Sequence, residues 1–310
     1  MSPPRLRLSV VVPATNDPPT LERCLAALAA SDEPADELVV IEDSSDASPA
    51  RARNAGVARA RGDVVVFVDA DVAVHRDALS RIRHLLEARA DVAAVFGSYD
   101  DAPAEPSLVS RFRNLLHHQV HHEGAGQART FWSGIGAIRR AAFEDVGGFD
   151  ARFERPSVED IELGMRLTQA GYGIVLEPAI QGTHLKRWTL PEMIRSDFRD
   201  RGVPWVELLV RSRSLPSTLN LGWRHRFSAL ASLTAACAPL LRRRRLAVAS
   251  AFVLVSLNWR FYRLLLRVGG VKQAAAGVPL HVLHHVTAAA SIPAGLIRHI
   301  RRRSGFSEKK

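Results

Sequence analysis
Three short runs of apolar, largely β-branched residues punctuate the first part of the chain: Leu8–Val12, Leu38–Ile41 and Val64–Val68. A strand this uniformly apolar has no face for water, so it has to be covered on both sides. The intervening sequence changes period. Leu21, Cys24, Leu25 and Leu28 recur at helical spacing, Ser48-Pro49 marks a helix start that Gly62 closes, and Leu79, Ile82, Leu85 and Leu86 repeat before a fourth run, Val92–Phe96. Buried strands alternating with amphipathic helices predict an α/β fold with a mostly parallel central sheet flanked by helices. Ligands of such sheets sit beyond the carboxyl ends of the strands. Pro13–Asp17, Asp43 and Asp69–Asp71 all fall there. A dinucleotide fold is excluded, because no G-x-G-x-x-G follows the first run and Ser133-Gly134-Ile135-Gly136 comes too late.

The sharpest chemical signal is Asp69-Ala70-Asp71. Two carboxylates two residues apart, where a buried strand opens into a loop, can share a hard divalent cation. Oxygen ligands suit Mg²⁺ or Mn²⁺, with substrate phosphates completing the shell.

Charge divides the chain. Residues 1–183 hold 19 Arg and no Lys against 27 acids, a net of −8, whereas residues 184–310 hold 23 basic residues against 5 acids, a net of +18. From Leu208 onward there are 18 Lys/Arg and one acid, Glu308, interleaved with the apolar runs Ser228–Leu241, Leu246–Leu257 and Gly277–Ile297. The first two runs, 14 and 12 residues long, fall short of the roughly 20 that cross a bilayer. Arg242–Arg245 lies between them, and on the far side it would oppose the positive-inside tendency. The expected domains are therefore 1–207, catalytic, and 208–310, a helical basic and apolar membrane-associated region. The latter would form a re-entrant or interfacial hairpin with a possible third membrane helix, facing anionic lipid. A nucleic-acid partner is not expected, since the basic residues flank aliphatic runs rather than polar and aromatic contacts. Cys24 and Cys237 follow no metal spacing, and free thiols suit a reducing compartment. With no secretory leader visible, the catalytic part is expected at the cytoplasmic side of the membrane.

An ordered series of motifs resembles the family 2 glycosyltransferases, which have the GT-A fold. Val10-Val11-Val12-Pro13-Ala14-Thr15-Asn16-Asp17, Val39-Val40-Ile41-Glu42-Asp43-Ser44-Ser45, Ala52-Arg53-Asn54-Ala55-Gly56 and Phe67-Val68-Asp69-Ala70-Asp71 look like that family's donor half. Gly147-Gly148-Phe149-Asp150 and Glu159-Asp160-Ile161-Glu162-Leu163-Gly164-Met165-Arg166-Leu167 look like its acceptor half, and the likeness covers roughly residues 6–206. It implies an enzyme, a hexosyltransferase-type transferase inverting the anomeric carbon of a UDP-, GDP- or dTDP-sugar. Pro13, Ala14, Thr15, Asp17, Asp43, Arg53, Asp69, Ala70 and Asp71 would bind the donor. Asp71, Asp69 and His184 would hold the metal. Asp160 would be the general base, with Glu159 and Glu162 as alternatives. Trp132, Gly134 and Glu159 would line the acceptor site, whose occupant the basic tail suggests is lipid-linked. Arg201-Gly202-Val203-Pro204-Trp205 departs from the Gln-x-x-Arg-Trp of the processive members, so a single transfer is expected. Two alternatives stay open: a sugar-nucleotide nucleotidyltransferase, opposed by the lack of Gly and Lys in residues 13–20, and an inactive scaffold of the same fold. His117, His118, His121 and His122 make two i,i+4 pairs on a predicted helix, at a zinc-compatible spacing without an evident third ligand. They are expected to be solvated or to face lipid headgroups.

Overall fold
The computed structural model describes residues 5–15, 17–42, 48–212 and 222–307. They form two compact units, Met1–Glu105 with His117–Lys186, and Pro106–Leu116 with Arg187–Lys310.

The first unit is built on an eight-stranded sheet. Its strands are β1 (Leu8–Pro13), β2 (Glu37–Ile41), β3 (Val64–Val68), β4 (Val72–Val74), β5 (Val92–Tyr99), β6 (Gly126–Ala128), β7 (Ile135–Arg139) and β8 (Gly173–His184), in the order β2-β1-β3-β7-β5-β8-β4 with β6 on β8. β1 pairs in parallel with β2 and β3, and β5 pairs in parallel with β8. β7 runs antiparallel between β3 and β5, so those five strands share one direction. The mostly parallel α/β expectation holds. All five residues of β3 and all eight of β5 are buried, as central strands require, while Leu38 on the outermost strand, β2, is half exposed.

Helices cover the sheet. α1 (Leu21–Ala29) buries Cys24 and Leu28, and α2 (Pro49–Arg59) starts with Pro49 at its first position behind a Ser48 cap. α3 (Ala78–Ala88) buries Leu79, Ile82 and Leu86. It also buries Arg83, whose guanidinium pairs with Glu33 and, at 2.9 Å, with Asp36. α4 (Leu108–Glu123) carries the histidine pairs, and α5 (Arg140–Asp145) and α6 (Glu159–Gln169) follow.

The second unit is helical. It comprises the start of α4, α7 (Leu190–Arg195), a π-helical segment Ser196–Gly202, α8 (Val203–Ser212), α9 (Trp223–Cys237), α10 (Arg244–Leu257) and α11 (Trp259–Ser307). α11 is broken at Gly270, whose φ of 67° favours glycine. Its apolar cluster gathers Phe112, Leu115, Met193, Phe261, Leu265 and Leu280. Among the described residues one helix, Trp259–Arg301, is long and apolar enough to cross a bilayer by length and composition.

Candidate active site
β1 and β3 are parallel neighbours, so the segments that follow them leave the sheet at the same end. Pro13 stands opposite Ile41 in the register, and the Ala14 amide donates to the Ile41 carbonyl at 2.8 Å. Thr15 is half-buried beyond them, and Asp17 is exposed with φ 47°, a left-handed conformation that aspartate tolerates better than most residues. Asp43 lies outside the described residues.

From the tip of β3 the geometry becomes a chain of charges. Arg53, buried on α2, donates to Asp69 at 2.7 Å through one terminal nitrogen and to Glu159 at 3.0 Å through the other. The second oxygen of Glu159 accepts from the Ser157 amide at 2.8 Å. One arginine therefore ties the strand that bears Asp69-Ala70-Asp71 to the first turn of α6. Phe149 packs beneath its guanidinium at 5.5 Å.

The two aspartates differ electrostatically. Burial pushes the Asp69 carboxyl above its ordinary value; Arg53 offsets this only in part, and the Asp71 charge adds to the rise. Burial acts the same way on Asp71, but the hydrogen bond and charge of His184, together with Lys186, outweigh it and hold that carboxyl below the usual range. Arg53 keeps its proton, because the Asp69 and Glu159 charges overcome its desolvation. Cys24 lies under the same tip with its sulfur 3.6 Å from the Asp69 carbonyl, and burial followed by the two aspartate charges raises its thiol to about 12. That thiol is inert at neutral pH.

Strand pairing brings His184 to Asp71. Val72 and His184 are register partners in β4 and β8, the Leu185 amide donates to the Asp71 carbonyl at 2.8 Å, and His184 Nε2 is 3.6 Å from Asp71 Oδ2. Among the described residues no three His, Cys, Asp or Glu side chains close into a metal cage. The donor set nevertheless fits a cation whose shell is finished by phosphate oxygens, which is how Mg²⁺ and Mn²⁺ are commonly held. A carboxylate and an imidazole face one another, with Asp69 two residues away on the same strand tip.

Asp160 sits in the first turn of α6, where the helix dipole favours a carboxylate. Its two oxygens accept from the Ser133 amide at 3.3 Å and the Ile161 amide at 2.8 Å. Glu159 is consumed by Arg53, and Glu162 faces Arg166 at 2.7 Å. The Ser133 bond joins Asp160 to the Trp132-Ser133-Gly134 segment, whose Gly134 carbonyl accepts from the Asp69 amide at 3.1 Å. A Cβ on Gly134 would lie 2.2 Å from the Trp132 indole, so this glycine is what lets the ring fold over the backbone.

Tyr99, which the sequence did not single out, completes one wall. Tyr99 stacks on His184 with ring centroids 4.2 Å apart and 15° between planes, and meets Trp132 edge-on at 4.9 Å. His117 lies 4.4 Å from both the Tyr99 and the Trp132 rings. The expectation of solvated or headgroup-facing histidines is corrected for His118 and His121, which are buried and bond the Tyr99 and Gly97 carbonyls, each at 2.8 Å. A carbonyl only accepts, so Nδ1 carries the proton in both rings. These bonds fall where the register of β5 against β8 shifts between Phe96 and Ser98. The histidines dock α4 onto the irregular end of β5.

Residues 9–50 and 46–147 match the model of glycosyl transferase family 2, and residues 115–187 match that of the N-terminal domain of galactosyltransferase. The chain carries a family 2 glycosyltransferase domain. The domain is 26% identical over 212 residues to a probable glycosyltransferase, YdaM, of Bacillus subtilis, covering 56% of this chain and 49% of that one. It is 30% identical over 171 residues to a pre-mycofactocin glycosyltransferase of Mycobacterium tuberculosis, covering 51% of this chain and 34% of the relative. The chain thus spans half or less of the length of these curated relatives. In fold it is similar to a mannosyltransferase of Pyrobaculum calidifontis solved with GDP-Man and Mn²⁺, at 19% identity and a TM-score of 0.54, covering 96% of this chain and 87% of that one.

Proposed function
We propose that the family 2 domain is an active, metal-dependent, inverting transferase that moves a sugar from a nucleoside diphosphate to an acceptor hydroxyl. The observation that supports this reading is the Arg53 bridge, which ties Asp69, expected on the donor side, to Glu159, next to the expected base Asp160. Asp71 and His184, with Asp69, would hold Mn²⁺ or Mg²⁺, and the cation would neutralise the charge of the departing diphosphate. Pro13, Ala14, Thr15, Asp17, Asp43, Arg53 and Ala70 would line the nucleotide pocket. Trp132 and Gly134 would floor the acceptor site.

Asp160 would act as the base. As the acceptor oxygen forms its bond to the anomeric carbon, its proton passes to the Asp160 carboxylate while the bond to the diphosphate breaks on the opposite face. The engagement of Glu159 by Arg53 and of Glu162 by Arg166 supports Asp160 for this role. The basic, apolar second unit supports work at the cytoplasmic membrane face, on a lipid-linked acceptor. Nucleotidyl transfer is disfavoured because no glycine-rich, lysine-bearing loop follows β1.

A thermal-shift screen of UDP-, GDP- and dTDP-sugars with and without Mn²⁺ tests the reading, since a ligand of the native state raises its melting temperature. One nucleotide class should stabilise the protein in a metal-dependent way, and Asp71→Ala should abolish that dependence with the fold intact. Metal-independent stabilisation, or none with any donor, would remove the metal-assisted transferase from consideration.

A further inference from the structure
Two helices of the second unit, α9 and α10, are inverted in polarity, beside an apolar cluster on α4, α7 and α11 that is packed in the ordinary way. On α9 the residues turned inward are Ser228, Ala231 and Ser232, while Phe227, Leu230 and Leu233 face outward. On α10 Ser250 and Leu254 are inside, and Val248, Phe252 and Val253 are outside. Ser228 and Gln273 are 0% exposed, whereas Leu240 is 83%, Val271 75% and Phe252 71% exposed. A water-soluble bundle distributes these residue types the other way round.

Several interior polar groups are paired within the unit. Asn258 donates to Ser228 Oγ at 2.8 Å and to the Leu254 carbonyl at 2.9 Å. Gln273 donates to the Leu108 carbonyl at 3.0 Å, and the Tyr262 hydroxyl meets His281 Nδ1 at 3.2 Å. Small and polar side chains between helices, with large apolar ones outside, are how helices associate where the surroundings are hydrocarbon. The charge around these faces is almost wholly positive, and Arg242–Arg245, all exposed, run from the turn after α9 into the first residues of α10.

We propose that the outward faces of α9, α10 and α11 are immersed in the acyl region of an anionic bilayer, with the α9–α10 hairpin lying along the interface. This rests on, and gives a depth to, the membrane reading above. With 15 and 14 residues, α9 and α10 are about 22 and 21 Å long, short of the roughly 30 Å hydrocarbon core. Neither spans. Arg242–Arg245 at the turn, with Arg224 and Arg226 at the other end of α9, instead hold the hairpin at the level of the lipid phosphates, their stems lying along the apolar surface.

The test uses the full chain, mixed from detergent into vesicles of phosphatidylcholine, with or without phosphatidylglycerol, and followed by flotation. The protein should float and stay with the vesicles through high salt and alkaline carbonate. Leu230→Glu with Phe252→Glu should cut the carbonate-resistant fraction by about tenfold, the effect of about 1.4 kcal/mol. Replacing Arg242–Arg245 by Gln should remove the preference for phosphatidylglycerol and leave carbonate resistance in place. Release of the unaltered protein by salt alone would mean surface adsorption and overturn the proposal. So would a discrete detergent-free oligomer, in which a second copy covers the apolar faces. Donor binding, read by thermal shift on the same samples, separates the two inferences. Insertion lost with binding kept refutes only immersion, whereas binding lost with insertion kept refutes only the transferase.

Discussion

The first unit and the α9–α10 pair of the second use side chains in opposite ways. In the first, β3 hides Val64, Val65, Val66, Phe67 and Val68, and charged groups crowd the surface and the ends of the strands. In the second, α9–α11 hide Ser228, Asn258, Gln273 and His281 beside a cluster that includes Phe112, Phe261 and Leu265, and display leucine, valine and phenylalanine outside. On the immersion proposed above, the hydrophobic effect operates on both and only the surrounding solvent differs. Where water surrounds the fold, apolar area gains by burial at roughly 25 cal/mol per Å². Where hydrocarbon surrounds it, apolar area gains nothing by burial, and the groups that must be hidden are the polar ones.

The largest expected effect is also the most direct way to break this comparison. Phe67, fully buried against the rings of Phe131, Phe143 and Phe149, should cost about 3–5 kcal/mol when changed to Ala. Phe252→Ala, on the outward face of α10, should cost less than about 0.5 kcal/mol in detergent. Denaturant melts of both variants in one detergent supply the numbers. Equal costs would mean that α10 buries Phe252 as β3 buries Phe67.

Arg53→Gln comes next. It strands Asp69 and the buried Glu159 without their counter-charge, and breaking a buried pair of this kind costs about 3 kcal/mol, less the screening available to the half-exposed Asp69. Donor turnover should fall with it, and Arg53→Lys should recover stability better than turnover, because an ammonium cannot reach both carboxylates in the guanidinium's fork. A variant with wild-type melting temperature would remove the bridge from the architecture of the site.

Much of the first unit was legible in the sequence because its signals are local. A short, β-branched, uninterrupted apolar run such as Val64–Val68 favours a buried strand, and Ser48-Pro49 favours a helix start. The bond between Arg53 and Glu159 was not legible, since it joins residues 106 positions apart through a single long side chain. Tyr99 was hidden for a similar reason. It ends a strand that reads as apolar and finishes beside His184 only because β5 pairs with β8. The histidines misled because i,i+4 spacing looks the same whether the rings face water or bond the carbonyls of Gly97 and Tyr99. In the second unit, the apolar runs identified the helices, whereas the inward turn of Ser228 and Asn258 emerges only from their packing.

A smaller effect sharpens the contrast from the side of the charged surface. Asp36 accepts from the Leu8 amide at 2.8 Å and from Arg83 at 2.9 Å. Burial would push its pKa up, but the Leu8 amide and Arg83 overcome this and leave it below the ordinary value. A carboxyl depressed in the folded state contributes stability above its unfolded pKa near 3.9 and loses that contribution as pH falls through the folded value. Asp36→Asn should therefore cost about 1–2 kcal/mol, unchanged between about pH 5 and 8, and the gap should narrow as pH falls below the unfolded value of about 3.9. A gap that persisted at low pH would assign the cost to lost hydrogen-bond geometry rather than to charge.

The smallest expected effect concerns the ring that stacks on His184. If Tyr99 holds the imidazole plane so that Nε2 faces Asp71, its removal should loosen the metal without touching the chemistry. An aromatic pair of this kind is worth about 0.5–1.5 kcal/mol, which corresponds to a roughly two- to tenfold weaker apparent Mn²⁺ affinity for Tyr99→Leu. Turnover at saturating Mn²⁺ should stay within about twofold, because an interaction that only orients a ligand is recovered by mass action. Tyr99→Phe keeps the ring and should behave as the unaltered protein. Should Tyr99→Leu lower saturated turnover while leaving the Mn²⁺ titration unchanged, the ring would be acting through Trp132 on the acceptor side, which it meets edge-on at 4.9 Å, and not through His184.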